Sequence, residues 1–345
     1  YTDEVEIRVN ELARKLFRCR HADPRLISGT TANMAVYFAL LAPGDIMTSV
    51  ALANGAHISS AKFGAAGMRG VNTINYPFDV ERMNIDVDGT AKLIKLVKPA
   101  VAAFGQSVFL FPTPLKELHD AFQEAECRVW YDGAHVMGLI AGGKFQDPLH
   151  EGADVLTGST HKTLPGPQHG IMLSDSGDEK FIRKLQRAVF PGVLSNHHLH
   201  AMAALGVTLA EFLEYGRAYA DQIVRNAKAL AQALHENGIK VLAEKAGFTE
   251  SHAIALDVAG QGGGAKAALD LEKANIISNK NLLPWDTSPV KPSGIRLGTQ
   301  ELTLLGMQEP QMREVAQLFA RVVIKKEAPE KVAADVAAMR REFNT

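Results

Sequence analysis

The sequence predicts an α/β protein: a large sheet-containing domain followed by a smaller C-terminal α+β domain. Three observations carry that expectation. Short apolar runs ending in Gly, Ser or Asp alternate with amphipathic helical segments through the first half of the chain. One long helical stretch, 199–238, then changes the texture. Beyond it come short apolar runs, a glycine-rich loop at 260–264 and more helices. The division is expected between 1–205 and 206–345, hinged near 200–215. A chain of 345 residues suffices for one large domain or two moderate ones.

In order, "DEVEIRVNELARKLF" (3–17) places Val5, Val9, Leu12, Ala13 and Leu16 at helical spacing. "SGTTANMAVYFALLAPGD" (28–45) opens on small hydroxyl residues, runs into an apolar helix and stops at Pro43-Gly44. "KPAVAAFGQ" (98–106) and "CRVWYDGAHVMGLI" (127–140) contain runs with the look of buried strands. With the helix "LKELHDAFQEAE" (115–126) between them they form a parallel β-α-β unit. "GADVLTGSTHK" (152–162) and "GIMLSD" (170–175) are further strands, and "EKFIRKLQRAVF" (179–190) is a helix. "EPQMREVAQLFARVV" (309–323) is another, and the charged tail 324–345 reads as a solvated helix.

Composition excludes several function classes. A net charge of −1 argues against a nucleic-acid partner. Two cysteines, Cys19 and Cys127, without a CxxC pair, speak against a disulfide framework or zinc cluster. There is no apolar run of ~18 residues and no visible signal peptide, so no membrane is involved and a cytoplasmic location is expected.

Candidate chemistry gathers at strand ends, where ligands bind in open α/β sheets. Ser107 follows one strand, Asp132 and His135 another, and Ser159-Thr160-His161-Lys162 a third. A carboxylate and then a lysine on strand ends point to pyridoxal phosphate. The amine forms a Schiff base with the cofactor aldehyde, and the acid keeps the pyridine nitrogen protonated. "SGTT" (28–31), opening a helix, offers N–H groups and hydroxyls to a phosphate. Each piece has a plainer reading: a surface lysine, a turn aspartate, a core histidine at His57, an ordinary helix cap. Their joint order carries the expectation.

The blocks "YDGAHVMGLIAGGKFQ" (131–146) and "GADVLTGSTHKTLPGPQHG" (152–170) resemble serine hydroxymethyltransferases, fold-type-I, aspartate-aminotransferase-like pyridoxal-phosphate enzymes. "ANGAHIS" (53–59), "AVFPG" (188–192), "NIISNKN" (275–281) and "SGIRLGTQELT" (293–303) extend the likeness to about residue 320. The resemblance implies that Lys162 bonds the cofactor, Asp132 pairs with the pyridine nitrogen and His57 stacks on the ring. His135 would reach the ring hydroxyl or the substrate carboxylate. Ser28, Gly29 and Thr30 would hold the phosphate, helped by Ser159 and His161. Ser107 and Arg296 would meet the carboxylate of an amino acid substrate, tetrahydrofolate is a possible co-substrate, and a homodimer or tetramer with shared active sites is expected.

Departures from the family pattern bear on the reaction. The family's N-terminal arm, with a glutamate for proton transfer, would precede Tyr1, and Glu4 and Glu6 lie too deep in the first helix to replace it. Gln168 stands where the family carries arginine, a loss expected to raise the lysine pKa. "VLSNHHLH" (193–200) replaces a glycine-rich loop, and His197, His198 and His200 there fit a helix start better than a metal site. Leu52 and Ile58 keep apolar character where the family meets folate. Three readings stand: a hydroxymethyltransferase acting on serine/glycine or α-methylserine, a folate-independent threonine-type aldolase or transaldolase, and a non-catalytic binding protein.

Overall fold

A computed structural model describes residues 1–288 and 290–343. The chain opens with helix α1 (Thr2–Phe17), which buries Val9, Ala13, Leu16 and Phe17 on one stripe. Edge strand β1 (His21–Asp23) and helix α2 (Gly29–Leu40) follow. Then come β2 (Ile46–Ser49), the short helix α3 (Ala65–Met68) and β3 (Asn72–Asn75). A small ladder of β4 (Phe78–Asp79) and β5 (Asn84–Ile85) precedes α4 (Val87–Val97). The expected β-α-β unit forms from β6 (Val101–Phe104), α5 (His119–Ala125) and β7 (Arg128–Asp132), the strands pairing in parallel. Next are α6 (Met137–Ala141), β8 (Val155–His161), β9 (Pro165–Ser174) and α7 (Glu179–Arg187).

These strands make one seven-stranded sheet in the order β1-β9-β8-β7-β6-β2-β3. The run from β8 to β3 is parallel, whereas β9 is antiparallel to β8 and β1, at the edge, is antiparallel to β9. All five parallel strands therefore end on the same edge, where β6, β7 and β8 deliver their polar termini. Buried apolar layers lie on both faces, one centred on Tyr131, Phe109 and Leu156, the other on Trp130, Tyr37 and Val155.

Helix α8 (Leu199–Glu236) runs without a break into the second half. There β10 (Lys240–Val241), β11 (Ala253–Asp257), β12 (Asn279–Asn281) and β13 (Gly294–Gly298) form a four-stranded antiparallel sheet ordered β10-β11-β13-β12. Helices α9 (Gly264–Lys273), α10 (Gln300–Leu304), α11 (Glu309–Val323) and α12 (Pro329–Arg341) complete the chain. The division expected at 205/206 falls inside α8. We propose that this helix belongs to both units, since its side chains up to Ile223 join the first core and those from Ala227 join the second.

Several expectations need correction. The segment 127–140 is not strand throughout: β7 stops at Asp132 and Met137–Ala141 is a buried helix. A fully apolar run such as this carries no period by which strand and helix differ. The strand expected at 170–175 starts earlier, at Pro165. The tail is helical but not merely solvated. Val332 on α12 is fully buried in the second core, with Val336 and Met339 packed against it. Residues 344 and 345 of that tail lie outside the described residues. Among the described residues no helix is long and apolar enough to cross a membrane.

Candidate active site

The site starts from the cap of α2. Ser28 is extended at the N-cap, its Oγ accepting from the Thr31 N–H at 3.1 Å while its own N–H donates to Thr31 Oγ1 at 3.0 Å. That reciprocal box fixes the first turn and leaves the N–H groups of Gly29 and Thr30 at the positive end of the helix. Gly29 lies against β8: a Cβ there would stand 3.3 Å from Ser159 Cβ. A larger residue would push the first turn of α2 away from the strand that carries Lys162.

Ser28, Gly29 and Thr30 line one cavity of about 190 Å³ together with His57, Asp132, His135, Ser159, His161 and Lys162. The structure thus gathers all nine residues expected around a cofactor. Lys162 donates from Nζ to Ser159 Oγ at 2.7 Å. Burial lowers the lysine pKa, with Asp132 opposing and Arg296 reinforcing the shift. Gln168, which is uncharged, also lines the cavity and adds no charge to that balance. Asp132 is buried, with Oδ1 accepting from the Ala134 N–H at 3.0 Å and Oδ2 from Asn33 Nδ2 at 2.7 Å. Burial is the chief cause that lowers the pKa of both His57 and His135, with Lys162 and Arg296 adding to it and Asp132 opposing it at His57.

Ser107 and Arg296 are not among the residues lining this cavity. They meet each other instead: Arg296 Nη1 on β13 donates to the Ser107 carbonyl at 3.0 Å, and Nη2 to Asn279 Oδ1 at 3.3 Å. The guanidinium is thereby aimed from the second sheet across to the loop after β6. His197, His198 and His200 sit where α8 begins, with His198 at its N-cap. His198 and His200 stack at 5.6 Å, and His197 Nε2 lies 3.0 Å from Glu6 Oε1 without hydrogen-bond alignment. Among the described residues no group of three His, Cys, Asp or Glu is arranged to hold a metal.

Sequence reasoning missed four contributors. Asn33 and Gln106 line the cavity, and Ser59 backs His57 with Oγ 2.8 Å from Nδ1. His252, buried on β11's approach, stacks on His135 at 6.0 Å. Asn33 had one legible signal: it follows Gly29 by one helical turn, on the side that faces the sheet.

The family model described as serine hydroxymethyltransferase matches residues 1–319. The chain belongs to that family. Similar relatives named serine hydroxymethyltransferase occur in Thermoplasma acidophilum, 58% identical over 99% of this chain and 81% of the relative. Another, from Pyrococcus furiosus, is 54% identical over 99% of this chain and 82% of its own length. Among solved structures, an L-threonine transaldolase from Pseudomonas fluorescens, captured in its internal aldimine state, superposes with a TM-score of 0.89. It is 32% identical, with 99% of this chain and 76% of that one covered. The protein is accordingly a pyridoxal-phosphate enzyme of the serine hydroxymethyltransferase family, with the fold-type-I architecture. Its donor set fits that cofactor: an amine for the aldehyde, a buried carboxylate for the ring nitrogen, and a helix N-terminus for the phosphate.

Proposed function

We propose that this enzyme exchanges the hydroxymethyl group of serine with tetrahydrofolate, leaving glycine, with the cofactor held at Lys162. The observation that carries the reading is the convergence of Lys162, Asp132 and the α2 N-terminus on one cavity. Relatives at 54–58% identity named serine hydroxymethyltransferase support it. A cytoplasmic location and a homodimer or tetramer with shared sites belong to the same proposal.

Pyridoxal phosphate, when bound, supplies an aldehyde for amines and an electron sink for the substrate's Cα. The chain's residues do the rest. Burial favours the neutral amine of Lys162, the form able to attack an aldehyde. Asp132, fixed at both oxygens, holds a proton on the ring nitrogen. Ser28, Gly29, Thr30, Ser159 and His161 would hold the phosphate. His57 would stack on the ring and His135 would reach its hydroxyl or the substrate carboxylate. Arg296, braced on Ser107 and Asn279, keeps donors free for the carboxylate of the amino acid, which a planar fork suits. Serine then presents its Cα–Cβ bond for cleavage.

The test follows product and co-substrate together. Glycine formed from serine in step with consumption of tetrahydrofolate, and lost in Lys162→Ala, is the expected result. Aldehyde release from threonine-type substrates with no response to tetrahydrofolate would overturn the folate step in favour of an aldolase or transaldolase. The likeness to the threonine transaldolase makes that comparison worthwhile. A protein that takes up no cofactor and turns nothing over would be a binding protein instead.

A further inference from the structure

Behind the cavity wall runs a chain of hydrogen bonds whose direction can be read from chemistry alone. It begins at the Trp130 indole, which is fully buried and whose Nε1–H donates to Thr157 Oγ1 at 2.9 Å. Indole nitrogen only donates, so Thr157 accepts there and must send its own proton onward. Its partner is Asn33 Oδ1 at 2.9 Å. The far side of Asn33 agrees independently. Nδ2 lies 2.7 Å from Asp132 Oδ2, and an ionised carboxylate only accepts, so the amide must present its NH₂ to Asp132. A donor-only group at one end and an acceptor-only group at the other both fix the same orientation.

The second Nδ2 proton of Asn33 goes to Ser59 Oγ at 3.1 Å. Ser59 therefore accepts from Asn33, and its hydroxyl proton goes to His57 Nδ1 at 2.8 Å. The Ser59 backbone N–H also points at Nδ1, at 3.2 Å. Two donors face one ring nitrogen, which leaves no room for a proton on it. Strand geometry explains how the links meet. Trp130 and Asp132 share one face of β7, and Thr157 on β8 is in register with Asp132. Asn33 and Ser59 are both buried, and Tyr37 holds the assembly, its ring edge-on to Trp130 at 5.3 Å and its hydroxyl donating to the Ser59 carbonyl at 3.2 Å.

We propose that Trp130, Thr157, Asn33 and Ser59 form a one-way hydrogen-bond relay that sets His57 as the Nε2–H tautomer and clamps Asp132 in the same frame. The four are positioning residues; none needs to touch the reacting atoms. The relay ties together the two groups read above as holding opposite aspects of the cofactor, ring face and ring nitrogen, and its functional weight rests on that reading. His57 then presents a neutral ring with a single N–H donor, and cannot take up a substrate proton through Nδ1.

The test uses the full chain labelled with ¹⁵N-histidine, first without cofactor, with His57→Gln identifying the resonance. The expected wild-type signal has Nδ1 unprotonated and Nε2 protonated. Nδ1 found protonated would overturn the proposal directly. In Thr157→Val, which keeps shape but removes the hydroxyl, His57 should lose its single tautomer, and pyridoxal phosphate should bind about tenfold more weakly. Thr157→Ser should restore both. A folded Thr157→Val protein with an unchanged tautomer and unchanged cofactor affinity would overturn the relay, and so would failure of Thr157→Ser to behave like wild type. If the wild type binds no cofactor, the proposed function fails while the tautomer measurement still decides the relay.

Discussion

At the exit of β6, Gly105 adopts φ 126°, and a Cβ there would fall 2.2 Å from the Asp132 carbonyl oxygen. Neither the conformation nor the contact can be relieved by turning a side chain, since the obstacle is backbone. Gly105→Ala is expected to cost about 3 kcal/mol and to displace Asp132, the carboxylate proposed for the cofactor's ring nitrogen. Urea unfolding and cofactor titration check this together; a variant with wild-type values in both would show that β6 and β7 tolerate separation. Sequence made Lys162, Asp132 and His57 legible because each sits in a contiguous block of chemically telling neighbours. Asn33, Thr157 and Trp130 were not legible as a set. Their link depends on register between β7 and β8 and on the depth of α2, which no local pattern records.

Among elements, α12 is the one whose reading changed most. Its surface is charged, yet Val332 is fully buried, and Arg321 on α11 makes a two-pronged contact with Glu327 at 2.7 and 2.8 Å and reaches Asp335 at 2.7 Å. Val332→Ala should cost about 2 kcal/mol. Arg321→Met should cost clearly less, because its partners keep access to water. Equal losses in denaturant unfolding would mean that the ion pairs, not the apolar contact, hold α12. Val332, Val336 and Met339 recur at helical spacing, but the stripe is short and set among charges, which is why the tail read as solvated. Long helices with a clear stripe, α1, α8 and α11, were legible nearly to their ends.

For the whole molecule, buried histidines set the acid limit. Burial is the chief reason that His252 is lowered to about 3 and His169 to about 4. Each is neutral when folded, whereas in the unfolded chain it takes up a proton below about pH 6.5. Their contribution to stability is thus full above that value and is lost as pH falls toward about 4 and about 3. The denaturation midpoint should drop between pH 7 and pH 5, and His252→Gln should shallow the drop. A slope identical in the variant would remove His252 from the account.

The packing of α1 on α8 has a consequence for synthesis. Val9 fits so closely against Gly206 that a Cβ at that glycine would come within 2.9 Å of it. Most of the apolar stripe of α1 packs on α8, with lesser cover from β1 and α6, so that cover is complete only once the chain beyond residue 199 has been made. At ribosomal rates that wait lasts roughly ten to forty seconds. Throughout it the nascent chain carries a partly uncovered apolar helix, a handle for a chaperone.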